Sequence, residues 1–123
     1  MREIITITNA NDLVRMRAER IIYVASDGNY STFVLHDKTK QTFSINLAKS
    51  MEELERQLGR EAQMFIRIGK SLIVNRMYIY RVSVVRQQLV MSDMTTNEAI
   101  TLQASKEALR QLKALLEAER GEV

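Results

Sequence analysis

Short alternating runs dominate the chain, and only two stretches change to helical spacing. Residues 4–8 (IITIT) are β-branched and alternating, and they end at the polar cluster Asn9-Ala10-Asn11-Asp12. This predicts a short strand and a turn. Residues 13–17 predict a second strand. Residues 21–25 and 30–35 then flank Ser26-Asp27-Gly28-Asn29. An Asp-Gly pair between two strand-like runs predicts a hairpin with an exposed tip, because Gly takes positive φ at little steric cost. Residues 41–45 predict the next strand, after the polar turn at 36–40.

The period then changes. Leu47, Met51, Leu54 and Leu58 recur at helical spacing, Ser50 and Glu53 match the S-x-x-E capping box, and Gly59 supplies a stop. Residues 64–79 (MFIRIGKSLIVNRMYI) read as a buried segment that carries an exposed loop. Phe65, Ile68, Leu72, Ile73 and Val74 anchor it, while Gly69-Lys70-Ser71 offers a bend, an ammonium and a hydroxyl. Residues 77–85 and 87–92 predict two more strands, 93–98 a turn and 99–103 the last strand. A closing helix runs from Lys106, with Ser105 as N-cap and Glu107 near the positive end of its dipole. Its stripe of Leu109, Leu112, Leu115 and Leu116 predicts docking on the domain's own sheet and leaves a helix-mediated dimer open.

Length changes this picture little: 123 residues predict one domain with no internal boundary. With no Cys and a single His, there are no disulfides, no thiolate metal site and no cysteine nucleophile. No Gly-rich phosphate loop or metal-ligand spacing appears, so no enzyme, catalytic residue, cofactor or metal is expected. The N-terminal MREIITIT lacks the apolar core of a signal peptide and no run approaches a membrane span, which predicts a cytoplasmic protein without a membrane partner.

Charge distribution adds more. Residues 62–92 contain no Asp or Glu but hold Arg67, Lys70, Arg76, Arg81 and Arg86, although the whole chain carries a net charge of only +3. Such asymmetry is the footprint of a surface that meets a polyanion, although a strand with basic residues on its wet face is common in any globular domain. Arg81 and Arg86 fit a solvated sheet face as well as a contact surface. Tyr23, Tyr78 and Tyr80 sit at strand positions and read as core or sheet-face residues. His36 lies in a turn and reads as a surface residue.

The order of these pieces resembles the LytTR-type DNA-binding domain, a bacterial transcription-factor module. RIIYVASDGNYSTF resembles the family's strand, exposed turn and Tyr-bearing strand. SMEELERQL followed by FIRIGKSLIVN resembles its short helix and its F-x-R-I-x-x-S-x-x-V-N signature. LQASKEALRQL resembles its final strand, Ser-basic dipeptide and closing helix. The likeness spans residues 13–116.

The resemblance implies a mostly β fold with short helices: an elongated antiparallel β scaffold with one helix in mid-chain and one at the C-terminus. It implies a transcriptional regulator, akin to a response regulator's output domain, that inserts three loop edges into successive grooves of double-stranded DNA. The first edge matches Asn29, Tyr30, Ser31 and Thr32. The second matches Arg67, Gly69, Lys70 and Ser71, with Arg76 beyond it. The third matches Ser105 and Lys106, with Glu107 at its margin. Phosphates need cations, hydroxyls and backbone N–H groups, whereas base edges need directional donors such as Lys, Arg or Asn. Two departures stand out: Gly69-Lys70 replaces a common His-polar pair, and Glu107 takes the place of a second basic residue. Asn75 also matches the signature, but as a buried amide it is expected to serve backbone groups in the turn before Met77.

A homodimer on DNA and a separate sensor or receiver protein are further partners compatible with this resemblance. A second function class, a protein-interaction module docking through the C-terminal amphipathic helix, also fits the scaffold.

Overall fold

A computed structural model describes residues 3–95 and 98–121. They fall into two compact units, Met1–Arg76 and Met77–Val123. The fold is mostly β. Among the described residues there are ten strands in three antiparallel sheets, together with two α-helices.

In the first unit, β1 (Ile4–Thr8) and β2 (Leu13–Arg17) form a hairpin. Asn9 closes it: its side-chain Oδ1 accepts from the backbone N–H groups of Asn11 and Asp12, both at 2.9 Å. A five-stranded sheet follows in the order β5-β4-β3-β7-β6. Its members are β3 (Ile21–Asp27), β4 (Tyr30–Leu35), β5 (Lys40–Phe43), β6 (Phe65–Ile68) and β7 (Leu72–Asn75). Helix α1 (Leu47–Leu58) crosses one face of this sheet. Leu47, Leu54 and Leu58 meet Val24, Phe33, Phe43, Phe65 and Ile73, while Ile5, Ile7 and Met16 of the hairpin join the same core. Phe33 and Phe43 pack edge to face with ring centroids 5.5 Å apart, the arrangement their quadrupoles favour.

Helix α1 begins earlier than the S-x-x-E spacing predicts. The N-cap is Asn46, whose Oδ1 accepts from the Lys49 N–H at 2.8 Å. Ser50 lies one turn inside the helix and donates its hydroxyl to the Asn46 carbonyl at 3.0 Å, a bond that a buried mid-helix serine can make without capping anything. Glu53, freed from a capping role, binds Arg56 at 2.6 Å and Gln57 at 2.9 Å. Gly59 closes the helix as expected, its N–H reaching the Glu55 carbonyl.

Gln57 joins α1 to the hairpin. Its side-chain amide imitates a neighbouring strand, accepting from the Thr6 N–H and donating to the Thr6 carbonyl, each at 2.8 Å. Asn75 is fully buried and donates to the Ile21 carbonyl at 3.0 Å, where β3 bulges. This bond ties β7 to the start of β3.

The second unit holds β8 (Ile79–Ser83), β9 (Gln88–Met91) and β10 (Ile100–Gln103) in the order β10-β9-β8, with α2 (Lys106–Glu119) against β8. Where one strand over 77–85 is expected, Arg76–Tyr78 is instead a 3-10 turn and the strand ends at Ser83. Tyr78 is buried, Tyr23 is half-buried with its phenol pushed above its ordinary pKa by that burial, and Tyr80 stands exposed at a bulge in β8. Leu109 and Leu112 are buried, which uses the central part of the α2 stripe. The expected turn at 93–98 includes Thr96 and Asn97, which lie outside the described residues.

Two outcomes follow for stability. Gln57→Ala removes both bonds to Thr6 and is expected to lower unfolding free energy by about 1–3 kcal/mol in urea denaturation, because two backbone groups lose their partner together. The Arg56 guanidinium, with help from Gln57 and Lys49, holds the Glu53 carboxyl below its ordinary pKa. A depressed carboxylate stabilises the fold above its unfolded pKa and loses that contribution as pH falls through the folded value. Stability measured from neutral into acid pH should therefore drop less steeply in Glu53→Gln than in the wild type.

Candidate nucleic-acid interface

The register of the five-stranded sheet decides which turns meet. β3 pairs with β4 through Asp27↔Tyr30, so their connection is the two-residue turn Gly28-Asn29. Asp27 is the last strand residue and is not part of the loop. Gly28 has φ +64° at the first central position, as a type II′ turn requires. β6 and β7 pair through Ile68↔Leu72, which leaves Gly69-Lys70-Ser71 as a three-residue turn. Gly69 has φ +60°, and a Cβ built there would touch nothing within 4 Å, so the preference for glycine is torsional.

β3 also runs antiparallel to β7, with Ala25 opposite Leu72. The Ser26 N–H donates to the Ser71 carbonyl at 2.8 Å and carries that pairing into the turn. Both turns consequently project from the same end of the sheet. β5 ends there as well, since Phe43 pairs with Ser31, and the link Ser44-Ile45-Asn46 leads from it into the first turn of α1. Sequence reasoning left out Ser44, which the register brings to this end. No local motif marks it, because its position depends on the pairing of β4 with β5.

The expected site residues divide. Asn29, Gly69, Lys70 and Ser71 are exposed at the tip, and Tyr30 is 56% exposed beside them. Ser31 is fully buried and donates its hydroxyl to the Ile45 carbonyl at 2.7 Å. Thr32 is half-buried and shares a 2.9 Å hydroxyl bond with Thr42 directly across the strand pair. Side chains alternate between faces along a strand, so four consecutive residues cannot all line one surface. Ser31 goes to the α1 side; Tyr30 and Thr32 go to the other.

Arg67 is exposed on edge strand β6, three residues before Lys70, and neither cation forms an ion pair with a described residue. Asp27 brings an exposed acid to the same tip. Arg76 lies elsewhere: Asn75 pairs with Phe65 at the far end of the sheet, and four residues of strand set Arg76 about 13 Å from Leu72. In the second unit, Ser105 caps α2 by accepting from the Ala108 N–H at 3.1 Å, and Lys106 is the exposed first residue of that helix. The Glu107 carboxylate accepts from the Gln111 side chain at 3.2 Å, along its own helix.

No group of three or more potential metal ligands occurs among the described residues. No helix among them is long and apolar enough to cross a membrane.

The model of the LytTr DNA-binding domain family matches residues 11–117, most of the chain and both units. The chain belongs to the LytTr DNA-binding domain family. That membership implies DNA as the partner and regulation of transcription as the role, in a family defined by binding and not by a reaction. A similar solved structure is the LytTr DNA-binding domain of a putative methyl-accepting/DNA response regulator from Bacillus cereus. It shares 17% sequence identity with a TM-score of 0.61, covering 93% of this chain and 96% of that one, a likeness of fold. Comparison with curated proteins gives no significant match.

The separation of architecture from surface is measurable. Ser31→Ala should cost about 1–3 kcal/mol of stability by leaving the Ile45 carbonyl without its buried donor. DNA affinity per folded molecule should be unchanged, as titration of the folded fraction against a duplex would show.

Proposed function

We propose that this LytTr-family chain is a sequence-specific, double-stranded DNA-binding transcriptional regulator that inserts its loop edges into the grooves of the duplex. The observation that carries this reading is the convergence of two turns, Gly28-Asn29 and Gly69-Lys70-Ser71, at one end of a sheet, with Lys70 and Arg67 free of ion pairs among the described residues. Lys70 and Ser71 supply the cation and hydroxyl that phosphates need, while Asn29 and Tyr30 present directional hydrogen-bonding groups suited to base edges. Ser105 has its hydroxyl committed to the α2 cap, so Lys106 is the charged contact of the remaining edge. Thr32 and Arg67 flank the first two edges. Arg76, at the far end of β7, is assigned to the scaffold.

Docking of a protein partner through α2 receives less support, since Leu109 and Leu112 are buried and only Leu115 is substantially exposed on that stripe. A homodimer on DNA, governed by a separate sensor or receiver protein, is the regulatory arrangement consistent with this reading. A two-part repeated site, recovered from a random duplex pool, would support paired binding.

The direct test is equilibrium titration of selected duplexes at two salt concentrations. Log K should fall by about 0.9 per phosphate neutralised for each tenfold rise in salt, and binding indifferent to salt would overturn the reading. Lys70→Ala should cost about 1–3 kcal/mol and relax preference at one base pair if the ammonium reads a base, or weaken all duplexes alike if it holds phosphate.

A further inference from the structure

The second unit carries a tip of its own that none of the expected site residues occupies. Ser83 pairs with Gln88, so Val84, Val85, Arg86 and Gln87 form the β8–β9 turn. The turn is pinned from within. The Ser83 hydroxyl accepts from the Arg86 N–H at 3.4 Å, the Val84 carbonyl accepts from the Gln87 N–H at 3.2 Å, and Gln87 adopts φ +54°. Two contacts then fasten it to the start of α2. Gln88 pairs with Gln103, and the Gln87 carbonyl accepts from the Ala104 N–H at 3.3 Å. Ser105 and Lys106 come next in the chain, so Arg86 and Lys106 flank one end of the three-stranded sheet.

The chemistry of this tip is unusual for a solvent turn. Val85 is 85% exposed, an aliphatic side chain held almost wholly in water. Arg86 beside it is exposed and forms no ion pair with a described residue. There is no Asp or Glu from Ala62 to Ser92 to neutralise it. Glu107, the nearby acid on α2, is engaged by Gln111 on the helix surface.

We propose that the 84–87 turn is an additional DNA contact adjoining Lys106, in which Arg86 holds a backbone phosphate and Val85 packs on a thymine methyl group. This rests on the DNA-binding reading above. A guanidinium's fork of donors suits phosphate oxygens, and thymine offers the apolar feature of the major groove that an exposed valine can cover. A turn already closed by its own hydrogen bonds gives up little conformational freedom on binding.

The test uses the full chain and duplexes selected from a random pool by the wild-type protein. One phosphate contact contributes a slope of about 0.9 in log K against log salt, so Arg86→Ala should bind roughly eightfold more weakly at 0.1 M salt and lose that much slope. Arg86→Lys, which keeps the charge, should retain the wild-type slope. Replacing thymines one at a time by deoxyuridine should weaken the wild type about fourfold at one position, the worth of one buried methyl, and leave Val85→Ala indifferent there.

Wild-type affinity and slope in Arg86→Ala, alongside weakened binding by Lys70→Ala, would overturn this contact while leaving the DNA-binding reading intact. An Arg86→Ala defect that lysine does not repair would overturn the phosphate role. Absence of salt-dependent duplex binding by the wild type would overturn both.

Discussion

The antiparallel pairing of β3 with its two neighbours is the constraint on which the first unit's surface depends. β4 returns from β3 through two residues, and β7 starts opposite Ala25, so the turn before β4 and the turn before β7 must emerge on the same side. The bond from the Ser26 N–H to the Ser71 carbonyl is the last rung of that pairing. A slip of one residue would send each buried side chain of β7 to the opposite face. β7 is buried along its whole length, so its register is strongly specified, and the geometry of the tip is set by the core beneath it.

Burial and recognition compete for the same short segments, and the pleat settles the competition. In the stretch from Asn29 to Thr32, neighbouring residues have opposite fates: Tyr30 faces out, Ser31 goes under α1 and Thr32 joins a hydroxyl pair. In the signature stretch, Phe65 and Ile68 are core residues while Arg67 and Lys70 meet solvent. The motif thus mixes residues that hold the scaffold with residues left at the surface. Asn75 illustrates the first sort, spending its amide on the Ile21 carbonyl.

The polar bonds that position these elements are long-range and concentrated. Gln57 joins α1 to β1 across 51 residues of sequence, and Asn75 joins β7 to β3 across 54. Each satisfies backbone groups that would otherwise lack a partner. The cost of leaving such groups unpaired exceeds what an exposed ion pair such as Lys113–Glu117 contributes. These amides fix how the elements meet around the apolar core, while the ion pairs lie at the surface.

Local patterns marked most elements of this chain, but not the 3-10 turn at Arg76–Tyr78, which falls inside a run that reads as one strand. Alternation marked the strands, the leucine spacing marked both helices, Ser105 marked the start of α2, and the acid-free run marked the basic segment. The F-x-R-I-x-x-S-x-x-V-N order pointed to the LytTr family. Tertiary structure alone decided the rest. It moved the α1 cap from Ser50 to Asn46, withdrew Ser31 from the surface, set Arg76 apart from Lys70, and brought Ser44 to the tip and Arg86 to the sheet end that Lys106 also flanks. Period and capping chemistry act over a few neighbouring residues and can be read along the chain, whereas strand register and burial arise from partners tens of residues away.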